Sequence, residues 1–127
     1  MRKYIDELGV KERPDTWCPN DKREPAWAKQ RDIYNFDSRE TWDIELTIRL
    51  AIYERVRFYI ENAPIDLSCH KIDYKGAVYT QEELIEELLS RIEFYISPYY
   101  NNMSKVQSDF VNEIEEIWAV LHYYMWW

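Results

Sequence analysis

The stretch from Asn35 to Asn62, NFDSRETWDIELTIRLAIYERVRFYIEN, constrains this chain more than any other. From Trp42 to Glu61 it contains no Gly or Pro, the two residues that would break a helical hydrogen-bond ladder. Asp37 followed by Glu40 is spaced like a capping box. Trp42 closes that first turn, and Asp43 offers a second cap. At 100° per residue, Ile44, Ile48, Ala51, Ile52, Val56, Tyr59 and Ile60 share one face, and Leu46, Leu50 and Tyr53 extend it. The arc is wider than a surface helix needs, so the pattern predicts a central helix with neighbours on two sides. Asn62 and Pro64 end it. Arg55 lies seven residues after Ile48, in the middle of that arc. A guanidinium keeps its charge there and must find an acid or reach an edge. The wheel therefore predicts a buried Arg55 paired with an acid. Glu113, beside Phe110 and Ile117 on the last helix, is the candidate partner.

Two more helices read clearly. Thr80-Gln81-Glu82-Glu83 is a capping box opening a run whose Leu84, Ile85, Leu88, Leu89, Ile92, Tyr95 and Ile96 keep one face until Pro98. Val106, Phe110, Ile114, Ile117, Leu121 and Tyr124 form one stripe of a last helix. The expected fold is all-α: an antiparallel bundle of three main helices at about 37–62, 81–97 and 102–125. Residues 1–127 read as a single helical domain. Residues 1–34 form an irregular arm packed on it, because Pro14, Pro19 and Pro25 forbid a continuous helix while Trp17 and Trp27 pin the arm. Within the arm, Met1–Leu8 reads as a short helix, and Ala26–Asp32 as one or two helical turns. Near 70–80, Tyr74-Lys75-Gly76-Ala77 is compatible with a small hairpin or with an ordered loop.

Charge narrows the function. Residues 1–31 carry eight Lys/Arg against six Asp/Glu, a balance of +2; the remainder carries eight against eighteen, or −10. An acidic body disfavours direct nucleic-acid binding, because phosphate contacts need cations. It serves solubility or a basic partner surface. With no signal-peptide pattern and no long apolar run, the expectation is a chain outside the membrane in a reducing cytoplasm.

Cys18, Cys69, His70 and His122 lack zinc-ligand spacing. No catalytic residue, metal or cofactor is therefore expected. Lys22, Arg23, Lys29 and Arg31 surround Trp27, which suits stacking plus charge on a nucleotide, or simple pairing with acids. Glu82, Glu83, Glu86 and Glu87 on one helix and Glu113 and Glu116 on another are similar to the Mg-binding set of all-α nucleotide pyrophosphohydrolases. Glu116 stands where that family has Asp. The end, Leu121 to Trp127, is too aromatic for a free tail. Tyr123, Trp126 and Trp127 are expected to dock on the chain itself, on a second copy or on a partner.

Phe36-Asp37-Ser38-Arg39-Glu40-Thr41-Trp42-Asp43-Ile44, then Thr47-Ile48 and Glu54-Arg55-Val56-Arg57-Phe58, resembles a family of small, functionally uncharacterised proteins from bacteriophages and prophages. About a quarter of the chain carries the resemblance, with Trp42 as its aromatic landmark. Many members have Pro where this chain has Glu54, so a kink there is not carried over. The resemblance implies a helical fold, a phage origin and residence in the host bacterial cytoplasm. The first functional expectation is a small acidic interaction protein that binds a host or anti-phage defence protein. The alternatives are a nucleotide-signal binder, a Mg-dependent pyrophosphohydrolase, and a virion or assembly protein.

Overall fold

Pro25 stands in the first turn of a helix, where its missing N–H costs nothing, rather than in an irregular arm. The computed structural model describes residues 3–8, 21–41, 43–97 and 104–125. Trp17, Cys18, Trp42, Pro98, Trp126 and Trp127 lie outside the described residues. The described chain is mainly helical with one two-stranded antiparallel sheet. It divides into two compact units, Met1–Glu54 and Arg55–Trp127, and the division falls within a helix.

In the first unit, α1 (Lys3–Glu7) buries Tyr4 and Ile5. The Glu54 carboxylate accepts from the N–H groups of Tyr4 (3.1 Å) and Ile5 (3.0 Å), which have no partner inside a helix that has just begun. α2 (Glu24–Tyr34) is longer than the one or two turns expected, and it ends on Asn35 at a left-handed φ of 65°. A 3-10 turn, Ser38–Thr41, leads to α3 (Ile44–Asn62). Asp43 caps α3: its Oδ1 accepts from the Leu46 N–H at 3.1 Å. With Glu54 in place of Pro, α3 continues through that position without a break.

The expected buried face of α3 is corrected. Ile44 and Ile48 are 53% and 52% exposed, and Arg55 is exposed. Leu50, Ile52, Tyr53, Val56 and Tyr59 are buried, and the buried arginine is Arg49, paired with Glu45 at 2.9 Å. The helix is turned by about a third of a turn from the expected orientation. The reason is that apolar residues surround most of α3. Centring the arc on its aliphatic side chains gave too little weight to Tyr53.

In the second unit, β1 (Lys71–Tyr74) and β2 (Ala77–Thr80) pair antiparallel with Tyr74 opposite Ala77. Lys75 and Gly76 make the two-residue turn with φ of 49° and 78°, the positive values that such a tight hairpin requires. β2 runs directly into α4 (Gln81–Tyr95) through the expected capping box. Thr80 Oγ1 accepts from the Glu83 N–H, and Glu83 Oε1 accepts from the Thr80 N–H, each at 3.1 Å. Thr80→Ala is expected to cost about 1 kcal/mol, read as a lower urea midpoint at unchanged slope.

The single last helix that was expected is two: α5 (Lys105–Asn112) and α6 (Ile114–Leu121), followed by a 3-10 turn, His122–Tyr124. The break falls at Glu113, whose N–H turns back to the Val111 carbonyl. α4 packs on α5 and α6, burying Leu84, Leu88 and Ile92 together with Val111, Ile114, Ile117 and Leu121. Gln81 is buried at the start of α4. Its Nε2 donates to the Tyr124 carbonyl at 3.0 Å and the Tyr59 hydroxyl at 3.3 Å. A carbonyl can only accept, so this contact fixes which end of the Gln81 amide faces the terminal turn.

Candidate functional site

Three groups of residues bear on function. The first is the Trp27 neighbourhood. Trp27 is 2% exposed, with the guanidinium carbons of Arg23 and Arg39 at 4.8 and 4.4 Å from its ring. A buried indole already covered by guanidiniums is no platform for a nucleobase. The neighbouring cations serve local acids. Arg23 holds Asp21 at 2.7 Å, and Arg31 binds both Glu24 and Asp37. Lys22 and Lys29 face solvent.

At the centre of this group is Asp37, which sequence reading treated only as a helix cap. It is buried and takes Arg39 at 2.6 Å and Arg31 at 2.7 Å. Its Oδ1 also accepts from the Arg39 N–H at 3.0 Å. The Arg39 guanidinium first, and Arg31 with it, hold the Asp37 carboxyl well below the usual carboxylate range. The more exposed Asp21 is lowered to about 2 by hydrogen bonds from Arg23. The family-like signature thus has a physical role here: Asp37 and Arg39 join α2 to the turn before α3.

The second group surrounds Glu113, at the break between α5 and α6. Glu113 does not take Arg55. Lys75 binds its Oε1 at 3.1 Å, and Arg91 and the Tyr74 hydroxyl each reach its Oε2 at 3.4 Å. Lys75 also holds Glu116 at 3.0 Å, and Arg91 pairs with Glu87. Lys75 is raised by Glu116 and then Glu113, while Tyr74 is raised by burial and then by Glu113. A cavity of about 230 Å³ opens here between the hairpin, α4 and the helix break. The six glutamates therefore do not gather as a cation site. Glu83 is used in the cap, and Glu82 and Glu86 face solvent. Among the described residues no group of three His, Cys, Asp or Glu is placed to hold a metal.

The third group is the outward face of α6. With Ile114, Ile117 and Leu121 turned to the core, Trp118 flanks that stripe, and His122, Glu115 and Ala119 follow round towards solvent. Glu115, Ala119 and His122 are exposed there, and Trp118 is half-buried. The Trp118 and His122 rings are 5.7 Å apart, and those of His122 and Tyr123 are 4.1 Å apart. His122 Nδ1 lies 3.0 Å from the Trp118 carbonyl. A carbonyl only accepts, so Nδ1 carries the proton and the imidazole is held in the ladder. Tyr123, at its end, is 73% exposed. Of the expected C-terminal contact residues, the structure places Tyr123 in this ladder. Trp118 was missed, although its spacing of four residues from His122, beside the apolar stripe, was available as a signal.

Cys69 and His70 are both exposed. No described helix is long and apolar enough to cross a membrane. Comparison with known proteins finds no matching family model, no matching curated protein and no matching solved structure.

Proposed function

We propose that this is a phage-encoded interaction protein that acts in the host cytoplasm by binding a basic surface of a host or anti-phage defence protein. The observation that carries the reading is the Trp118–His122–Tyr123 ladder, which runs from a half-buried flank of α6 to the exposed turn after it. Trp and Tyr anchor protein interfaces because a rigid ring buries a large area while its polar end stays hydrogen-bonded. The partner chemistry follows from charge. Residues 55–127 hold six Lys/Arg against twelve Asp/Glu, and no Lys or Arg follows Lys105. An aromatic ladder with Glu115 beside it, on a segment of net acidic charge, suits a partner whose apolar pocket is rimmed by Lys or Arg. The resemblance of the Phe36–Phe58 segment to phage proteins supplies the setting.

The test is affinity capture from host lysate with the intact chain and with a Trp118→Ala/Tyr123→Ala variant. One host protein should be retained by the intact chain and held at least about tenfold less by the variant. Equal retention by the two chains would remove α6 from the interface. Elution as a dimer that the double variant abolishes would assign the ladder to a second copy instead.

A further inference from the structure

α2 has one side in use and one side open. Trp27 is buried, Gln30 Oε1 accepts from the Ser38 N–H at 2.8 Å, and Arg31 binds Glu24 and Asp37. At 100° per residue, Trp27, Gln30 and Arg31 share one side of the helix. Pro25, Ala26, Lys29, Asp32 and Ile33 fall on the other, and all five are exposed. Ile33 is 70% exposed. Tyr34 and Phe36, also exposed and with their rings 6.1 Å apart, extend the apolar surface round the C-terminal end of the helix. Single exposed apolar residues are ordinary, but a cluster of large ones marks a contact surface.

Charge selects the occupant. α2 carries four ionic side chains: Glu24, Lys29, Arg31 and Asp32. Arg31 pairs with Glu24, whereas Lys29 and Asp32 enter no ion pair among the described residues. A basic partner would meet Lys29, and an acidic partner would meet Asp32. A second copy of the same helix, run antiparallel, meets neither penalty. With the two-fold axis between Gln30 and Arg31, Lys29 of each copy stands opposite Asp32 of the other, so the pair forms twice. The same register brings the Tyr34–Phe36 end of each helix to the Pro25–Ala26 end of the other, where short side chains leave room for the rings. We infer that the outer face of α2 is a self-association surface, an antiparallel two-fold contact between two copies of this chain. An α2 of 11 residues is about 16 Å long, so the contact belongs to the small, transient class of less than about 1,200 Å². The surface is on a different element from the α6 ladder and does not depend on the reading given to it.

The test is sedimentation equilibrium of the full chain from about 10 μM to about 1 mM. A monomer–dimer equilibrium is expected, unchanged in the Trp118→Ala/Tyr123→Ala variant and weakened at least about tenfold by Ile33→Ser. Charge reversal reads the register. Lys29→Asp sets acid against acid and Asp32→Lys sets base against base, so each alone should dimerise at least about tenfold more weakly. An equimolar mixture of these two variants restores both pairs and should associate as well as the unmodified chain. All three substituted side chains are exposed, and far-UV circular dichroism checks that each variant folds. A chain monomeric at about 1 mM, a dimer untouched by the single reversals, a mixture no better than its parts, or a dimer lost in the Trp118→Ala/Tyr123→Ala variant would overturn the proposal. So would a monomeric chain in which a captured host protein protects residues 24–36, which would assign the face to that protein.

Discussion

Tyr53→Ala is expected to destabilise the protein by about 3–5 kcal/mol in urea unfolding, while Ile48→Ala changes stability by about 0.5 kcal/mol or less. Both residues lie on α3, five positions apart, and a helical wheel drawn on the aliphatic residues ranks them the other way. Tyr53 has none of its surface exposed, whereas Ile48 keeps about half of its own. Removing a fully enclosed ring leaves a cavity that its neighbours fill only in part. Truncating Ile48 leaves water where water already was. Equal effects at the two positions would mean that α3 is rotated differently from the description above.

Asp37→Asn is expected to cost about 3 kcal/mol at neutral pH, again read from urea midpoints. The substitution keeps the shape and removes the charge that two guanidiniums share. Arg31, with 39% of its side chain exposed, can turn to water, but Arg39, with 7%, cannot. A buried cation that loses its anion costs about 3–5 kcal/mol, and the freedom of Arg31 places this case at the low end. The pH dependence follows from the lowered carboxyl. Its contribution is complete above the unfolded value of about 3.9 and is lost as pH falls through the lower folded one. The gap between the two proteins should therefore hold from about pH 7 to pH 5 and narrow below about pH 4. A gap that widened on acidification would contradict the role given to Asp37.

What the sequence made legible follows a physical pattern. α4 was readable almost residue by residue because Thr80 and Glu83 close a local capping box and Leu84, Leu88 and Ile92 recur at helical spacing. At 70–80 the sequence left a hairpin and an ordered loop open; the turn itself was legible because Gly76 takes a positive φ cheaply, but the strand pairing was not. α3 was found but turned wrongly, since its apolar residues leave no sharp polar face. The break at Glu113 had no local marker, as neither Gly nor Pro stands there. Arg55 was assigned to Glu113 from the wheel alone, and Lys75 and Arg91 reach that acid from elements far away in sequence. Distant pairings of this kind are invisible to periodicity. The Trp27 group shows the same limit: Lys22, Arg23, Lys29 and Arg31 stand close together in sequence, but Asp37, which holds Arg31 and Arg39, lies beyond the end of α2.

Hydrogen exchange on the chain with and without its captured partner tests the interaction surface most directly. The expected result is added protection concentrated in residues 114–124, diminished when the partner is offered to the Trp118→Ala/Tyr123→Ala variant, with little change along Ile44 to Ala51. Protection confined to Met1–Glu54, with residues 114–124 exchanging as freely as before, would contradict it.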